Sequence, residues 1–248
     1  RNTFRYLLGN LNDSYNELNL KEINLSELPE LEKLMLHKIY CLNSSFNRYF
    51  ENYDFHNLYK DLLNFCTVDL SAFYFDIRKD TLYCDPLSSQ KRKSTLLVLN
   101  IILQCLLKWF APILSFTTEE IYQLVSKKKK SIHLENFLNV PKKFENLELN
   151  EKWSQLLKIR DVCNLSIEEK RASKEIGSSL EAAITIKINK QKHKILKGID
   201  FAELCITSLA EIKLNDTEEI EVQTNKAQGN KCPVCWKISE KPCQRHGH

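Results

Sequence analysis

The cysteines and histidines near the end of the chain have the spacing of a metal site. Cys232 and Cys235 form a Cys-x-x-Cys pair, and Cys243 and His246 form a Cys-x-x-His pair seven residues further along. Zinc prefers four nitrogen or sulfur ligands in a tetrahedron, and a two-residue gap lets one tight turn present two of them to one ion. A segment this short has no apolar core, so a metal is the feature expected to fold it. The alternative is a disordered tail whose cysteines are incidental.

The residues around these cysteines suit a nucleic acid. Trp236 follows the second cysteine directly, and Lys237 follows the tryptophan. Lysine and arginine neutralise phosphates, while a flat aromatic ring stacks on an unpaired base. We therefore expect Trp236 and Lys237 to contact RNA. Elsewhere in the chain the same role is expected of Arg1, Arg5, Lys91 and Arg92, although scattered cations are also the ordinary surface of a soluble protein.

Length and composition indicate a soluble globular protein of one or two domains. The chain has 248 residues, of which 43% are hydrophobic and 27% charged, and its net charge of +4 permits a polyanionic partner. The longest apolar run, Leu96 to Leu107, contains Asn100 and Gln104 and suits a buried helix, so no membrane span is expected. Residues 1–20 are polar, which excludes a signal peptide from this sequence. The start at Arg1, with a helical pattern already under way, indicates a segment of a longer protein.

Cysteine usage favours the cytoplasm. Nine cysteines occur, and those outside the terminal cluster stand singly, mostly within apolar periodic segments. Free cysteines in such positions behave as small hydrophobic residues. Without a secretory signal, a reducing compartment is the better inference.

The first part of the chain is helical by its apolar period. One long helix is predicted after Ser26 and Pro29, from Leu31 to Phe50, and a second from Leu58 to Ile77. Ser89 is expected to cap a third, nearly all-apolar helix over 90–110 that belongs at the centre of a bundle. Thr117 and Glu120 predict a capping box for a fourth, short helix. The run Lys127–Lys130 follows the four helices, and a helical domain is predicted over residues 1–147.

The pattern changes in the second part. A helix is predicted from about Asn150 to Arg171, and period-two alternation follows at 183–188, 212–214 and 220–222. His193 is placed in a charged hairpin between these strands. The fold class is therefore mainly α, with a helix plus small α/β subdomain at 148–227 and a zinc-knuckle segment at 228–248.

Catalytic chemistry is not evident in this chain. Its five glycines form no phosphate loop or dinucleotide fingerprint, its other histidines are isolated, and no nucleophile–base pair stands out. The chain taken alone is therefore predicted not to be catalytic.

Several motifs nevertheless resemble one family, the bacterial-type isoleucyl-tRNA synthetases of class I. The resemblance covers essentially the whole chain in order, and the stretch from Asn64 to Tyr83 and the terminal knuckle are its most specific parts. The matching stretches are Arg1-Asn-Thr-Phe-Arg5, Leu8-Gly-Asn-Leu11, Tyr53-Asp-Phe-His56, Asn64-Phe-Cys-Thr-Val-Asp-Leu-Ser-Ala-Phe-Tyr-Phe-Asp76, Lys79-Asp-Thr-Leu-Tyr83, Ala111-Pro-Ile-Leu-Ser-Phe-Thr117, Ile132-His-Leu134 and Ile176-Gly-Ser-Ser-Leu-Glu-Ala182.

The resemblance implies that residues 1–147 are an anticodon-binding domain and that the chain grips the anticodon stem-loop of an isoleucine tRNA. ATP and Mg²⁺ would serve only the catalytic part, whose His-Ile-Gly-His and Lys-Met-Ser-Lys-Ser signatures this sequence lacks. The parent enzyme would be a cytoplasmic monomer. The family usually has a second Cys-x-x-Cys, whereas here His246 takes the fourth position, with His248 or a residue beyond the sequence as alternatives. Two other functions stay open: a class I synthetase of different specificity, and a protein-interaction module with a zinc knuckle.

Overall fold

The structure, a computed structural model, describes residues 1–12, 15–126 and 130–247. These residues form two compact units, Arg1–Leu147 and Glu148–His248. Helices dominate the first unit, and the second adds a small mixed sheet and a terminal Cys/His cluster, which confirms the mainly α fold class. The division into three domains stays a prediction. Lys127 to Lys129 and His248 lie outside the described residues, and so do Asp13 and Ser14.

The first unit is a helical bundle built around one apolar helix, Gln90–Phe110 (α5). Within the unit this helix packs against Asn2–Leu11 (α1), Glu30–Glu51 (α2), Asp76–Cys84 (α4) and Ser115–Val125 (α6). Its side chains are buried on nearly every face, including Leu99, Ile102 and Leu106. The central position predicted for this helix is thereby explained, because only a helix surrounded by others can be apolar all round. Between α2 and α4 the chain forms the helix Phe55–Asn64 (α3).

By length and composition alone, α5 is also the one helix of the described chain that could cross a membrane. The bundle buries 78% of its most apolar window, which is the usual environment of a soluble core helix. Asn100 and Gln104 lie on the same buried helix, and Gln104 accepts a hydrogen bond from the backbone N–H of Leu18.

The helix predicted from Leu58 to Ile77 contains an unexpected π-helical segment. Phe65–Phe75 joins α3 to α4 in one continuous rod. Phe65, Leu70 and Phe75 are all buried and recur every five residues. The i→i+5 hydrogen bonding of a π-helix puts more residues in each turn than an α-helix does, so it changes which side chains of this segment face the core.

A buried ion pair lies within this bundle, between α2 and α4. The guanidinium of Arg78 donates two hydrogen bonds to the carboxylate of Glu32, at 2.7 and 2.6 Å. Tyr74 and Thr95 donate their hydroxyls to the same carboxylate, at 3.2 and 3.1 Å. Both charged side chains are almost fully buried, so these hydrogen bonds replace the water that each group loses on folding.

One of the predicted helix starts is wrong and two are confirmed. The first long helix begins at Glu30, next to the predicted Leu31, and Ser26 lies before it in a 3-10 turn capped by Asn24. The short helix begins at Ser115, so Thr117 lies inside it and forms no capping box. Ser89 does cap α5, because its hydroxyl accepts the backbone N–H of Arg92.

The second unit places a small sheet beside a long helix. The strand order is β2-β1-β3, with β1 parallel to β2 and antiparallel to β3. In β1, Ala182, Ile184, Ile186 and Ile188 alternate inward, as the period-two pattern predicts. The remaining elements are Leu147–Ala172 (α7), Ala182–Ile188 (β1), Lys190–Leu196 (α8), Phe201–Leu204 (α9), Leu209–Leu214 (β2), Glu221–Lys226 (β3), Asn230–Lys231 (β4) and Ile238–Ser239 (β5).

The prediction that His193 lies in a hairpin is wrong. The residue lies on α8, which with α9 carries the chain from β1 to β2. Because β1 and β2 are parallel, a tight hairpin cannot join them and a crossover is required. Period-two alternation identifies strands but does not reveal their relative direction.

Candidate metal centre and knuckle

Two tight backbone turns build the terminal knuckle. The N–H of Trp236 donates to the carbonyl of Cys232, and the N–H of Cys232 donates to the carbonyl of Lys237, both at 2.9 Å. In the second turn, the N–H of His246 donates to the carbonyl of Cys243 at 3.2 Å. Each turn therefore presents the two members of one predicted ligand pair on the same side of the backbone.

The four predicted metal ligands converge. Their ligand atoms all lie within 4.8 Å of one another. Nδ1 of His246 is 3.5 Å from Sγ of Cys232 and 3.4 Å from Sγ of Cys243, and the sulfur atoms of Cys235 and Cys243 are 3.8 Å apart. A tetrahedron with zinc–ligand bonds of ~2.3 Å to sulfur and ~2.0 Å to nitrogen has edges of about 3.5 Å between nitrogen and sulfur and about 3.8 Å between two sulfurs. The donor set and its spacing therefore fit a zinc ion.

The electrostatic environment favours the thiolate form at two of these cysteines. Backbone N–H groups of Cys235 and Val234 hydrogen-bond to the sulfur of Cys232 and lower the pKa of its thiol to about 6. Burial alone would raise the pKa of Cys243, but N–H groups of Arg245 and His246 lower it overall. Burial raises the pKa of Cys235. The thiolate is the form that binds metal.

A glycine starts the hairpin that carries the first ligand pair. β4 and β5 pair as antiparallel strands, with Lys231 opposite Ile238. Gly229 precedes β4 with a φ of +113°, and a Cβ at this position would lie 2.2 Å from the backbone carbonyl group of Ser239. Only glycine fits both the left-handed backbone and the close approach of the two chains. The Gly229-Asn230 pair is a turn signal in the sequence, but the requirement for glycine here comes from the close approach of Ser239 in the fold.

The indole of Trp236 stands on the outside of the knuckle. Its side chain is 59% exposed, and its backbone has a φ of +63°, which is uncommon for a bulky residue. Nζ of Lys231 lies 5.4 Å from the ring centroid, within the range of a cation–π contact. An exposed ring beside a cation has the two features expected of a platform for a nucleobase.

A serine joins the knuckle to the sheet. Ser208 lies just before β2, and its hydroxyl accepts the backbone N–H of Ile238 at 2.6 Å. The same hydroxyl donates to the carbonyl of Leu180, just before β1, at 2.5 Å. Ser208 therefore links β5 to the sheet of the same unit, and no pattern in the sequence distinguished it.

The other predicted RNA contacts lie in the first unit. Arg1 and Arg5 are exposed at the start of α1, and Lys91 and Arg92 lie partly exposed in the first turn of α5. The guanidinium of Arg92 donates to the carbonyl of Asp85 at 2.6 Å, so part of this side chain holds the connection between α4 and α5. Lys237 is half-buried beside Trp236, and its carbonyl accepts the N–H of Cys232.

Comparison with known proteins assigns the chain to a family. Residues 32–187, more than half of its length, match the model of the anticodon-binding domain of tRNA ligase. The chain belongs to this family. The chain is also 62% identical over 246 residues to an isoleucine–tRNA ligase of Pelagibacter ubique (strain HTCC1062). Isoleucine–tRNA ligases of Bartonella henselae and Agrobacterium fabrum are 41% and 40% identical to it.

These alignments cover nearly all of the chain but only part of each relative. They include 99%, 97% and 96% of the chain, and 27%, 25% and 25% of the three relatives. The chain thus spans about a quarter of the length of the curated relatives it matches. The resemblance of its motifs to the isoleucine enzyme is confirmed.

Proposed function

We propose that this chain recognises the anticodon stem-loop of an isoleucine tRNA as the C-terminal part of an isoleucine–tRNA ligase. The observation that carries the proposal is the match over almost the entire chain, at 62% identity, to a relative of that name. The family supplies the partner, because an anticodon-binding domain of a tRNA ligase binds tRNA. The two motif stretches most specific to the isoleucine enzyme support the narrower choice of tRNA.

We infer that Cys232, Cys235, Cys243 and His246 hold one Zn²⁺. The distances between their ligand atoms support this ligand set, and the lowered pKa of the Cys232 and Cys243 thiols agrees with it. A bound zinc ion would act structurally, with all four positions filled by protein, and would cross-link the two turns of a segment without an apolar core. Elemental analysis of the purified chain is expected to find about one zinc per molecule, and a zinc-free folded knuckle would exclude this role.

The RNA contacts follow from charge and exposure. Arg1, Arg5, Lys91 and Arg92 contact phosphates from the helical unit, while Trp236 stacks on an unpaired base and Lys237 supplies a charge beside it. These assignments rest on the chemistry of each side chain and on the exposed indole of the knuckle. The chain binds and orients the stem-loop, and the chemical steps belong elsewhere in the enzyme.

The activity of the whole enzyme is part of the same proposal. Joining isoleucine to its tRNA would use ATP and Mg²⁺ in a catalytic part that these 248 residues do not include. We place the parent enzyme in the bacterial cytoplasm as a monomer, in keeping with the translation role of the named relatives.

Two alternatives make different predictions for a tRNA-binding assay. A ligase of another specificity would bind a different tRNA best, and a protein-interaction module would bind tRNAs weakly. Binding of the chain to an isoleucine tRNA and to leucine and valine tRNAs is measured between 50 and 200 mM salt. The proposal predicts a preference for the isoleucine tRNA and an affinity that falls steeply with salt. A preference for another tRNA, or a flat salt dependence, would contradict it.

A further inference from the structure

A row of lysines lies along one exposed face of α8 in the second unit. Lys190, Lys194 and Lys197 are all exposed and follow one another at steps of four and three, as residues on one side of a helix do. Lys197 is the residue immediately after the helix, and exposed His193 adjoins the row. We call Lys190, Lys194 and Lys197 the α8 lysine face. Within the described ranges, none of its three ammonium groups forms an ion pair.

The fourth lysine of the same helix behaves differently. Lys192 is only partly exposed and forms an ion pair with Glu218, while its ammonium also donates to the Glu218 carbonyl. Elsewhere in the unit, Lys187 pairs with Glu221 and Lys213 with Glu211. The lysines of this region thus divide into a paired set and the unpaired α8 lysine face.

The charges of α8 oppose its own stability. No acidic residue lies in its first turn, where Lys190 and Lys192 face the positive end of the helix dipole. Lys190 and Lys194 are like charges four residues apart, an arrangement that destabilises isolated helices. Electrostatic interactions within the helix therefore do not explain why cations occupy these positions.

Other features hold the helix in place despite its charges. Asn189 accepts the backbone N–H of Lys192 at 2.9 Å, and Leu196 is buried. Gly198 ends the segment with a φ of +85°, the left-handed conformation typical of a residue just beyond a helix. The fold therefore presents the α8 lysine face as a fixed surface whose charge no other described group neutralises.

We propose that the α8 lysine face binds the phosphate backbone of the tRNA, as a surface additional to the knuckle. This inference rests on the proposed function and identifies which part of the α/β subdomain the RNA contacts. The three residues span roughly 10 Å along the helix at a rise of ~1.5 Å per residue. A row of that length, carried on flexible lysine side chains, can reach neighbouring phosphates of one RNA strand. A phosphate contact needs no base sequence, so the face contributes affinity without selecting the anticodon.

The test compares the salt dependence of tRNA binding among variants of the complete 248-residue chain. The variant Lys190→Gln/Lys194→Gln/Lys197→Gln removes the proposed contacts. The matched control, Lys187→Gln/Lys192→Gln/Lys213→Gln, removes the same charge from lysines that already have carboxylate partners. A third variant, Lys190→Arg/Lys194→Arg/Lys197→Arg, keeps the charge. Circular dichroism and zinc content establish that each variant is folded.

The inference predicts a change in slope for the first variant only. Each lost phosphate contact lowers the steepness of log K against log salt by about one, so a decrease of about two to three is expected. Affinity should fall equally for isoleucine and non-isoleucine tRNAs, and the arginine variant should retain the unmodified slope. An unchanged slope in the first variant, or an equal decrease in the control, would overturn the inference. If the unmodified chain shows no preference among tRNAs, that result contradicts the proposed function and not this inference. The slope of log K against log salt can be measured with any tRNA.

Discussion

The hydroxyl of Ser208 accepts a 2.6 Å hydrogen bond from the backbone N–H of Ile238 while donating to the carbonyl of Leu180. This contact fixes the knuckle hairpin against the sheet of its own unit. A metal can order the knuckle internally, but it does not determine where the knuckle lies on the subdomain. We therefore regard Ser208 as a positioning residue for Trp236.

Replacing Ser208 with alanine tests this role. Zinc content is expected to stay at its unmodified level, because all four ligands remain. Affinity for an anticodon stem-loop should fall about two- to tenfold, the equivalent of one hydrogen bond at 0.5–1.5 kcal/mol. Titration of a labelled hairpin gives the affinity, and Ser208→Thr, which keeps the hydroxyl, should restore part of it. Ser173→Ala removes an exposed hydroxyl from the end of α7 and serves as the control. Equal affinities for Ser208→Ala and Ser173→Ala would argue against a positioning role.

The exposed indole of Trp236 should contribute directly to binding. Stacking of one base on an aromatic ring is worth about 1–3 kcal/mol, so Trp236→Ala should weaken binding of the stem-loop roughly ten- to a hundredfold. Trp236→Phe keeps a ring and should lose much less. Both affinities are measured by titration of the labelled hairpin. If Trp236→Ala binds the hairpin as tightly as the unmodified chain does, the ring does not stack on a base and its only role is to pack against Lys231.

Gly229 should be essential for the knuckle hairpin. Alanine there combines an unfavourable left-handed φ with a 2.2 Å approach to the Ser239 backbone, so the strands must separate. Strain of this kind costs on the order of 1–3 kcal/mol. Hydrogen exchange should show loss of protection at β4 and β5, together with weaker zinc retention.

A second glycine provides the control. Gly9 lies inside α1, and a Cβ there would meet no other atom within 4 Å. Gly9→Ala should be neutral or stabilise the helix by up to ~1 kcal/mol, because alanine has the higher helix propensity. Similar exchange rates at β4 and β5 in Gly229→Ala and Gly9→Ala would contradict the assigned role.

The buried pair of Glu32 and Arg78 should dominate the stability of the helical unit. Glu32→Ala removes the carboxylate on which two guanidinium bonds and two hydroxyls converge, and it leaves a buried cation without that counter-ion. Loss of one member of a buried pair costs about 3–5 kcal/mol. Urea denaturation gives the free energy of unfolding. Asp76→Asn breaks a more exposed pair with Lys79 and should cost less than ~1 kcal/mol. Comparable losses in the two variants would show that burial does not set the energy of this pair.

Much of the architecture follows from local sequence signals. The apolar pattern of 90–110 predicts a central helix, and Ser89 marks its start, because both depend only on residues close together in the chain. The alternation in 183–188 likewise predicts β1. The π-helical segment is different, since the apolar pattern of 65–75 indicates a helix but does not distinguish i→i+5 from i→i+4 hydrogen bonding.

The candidate metal centre and knuckle likewise have one part that the sequence predicts and one part that it does not. The spacing of Cys232, Cys235, Cys243 and His246 predicts their convergence, because two short turns bring together residues that are near in sequence. The contact between Ser208 and Ile238 joins residues 30 positions apart and depends on the tertiary fold. The α8 lysine face was not predicted, because the segment around His193 was predicted to be a hairpin. A spacing of three and four residues places lysines on one face only if the segment is helical.

The most direct test of anticodon recognition uses one RNA hairpin with two anticodons. The affinity of the chain is measured for the anticodon stem-loop of an isoleucine tRNA and for the same stem-loop carrying a valine anticodon. The stem and its phosphates are then identical, so any difference arises from the loop bases. Our account predicts at least about tenfold tighter binding of the isoleucine hairpin, the equivalent of one lost base contact at ~1.4 kcal/mol. Equal affinity for the two hairpins would contradict it.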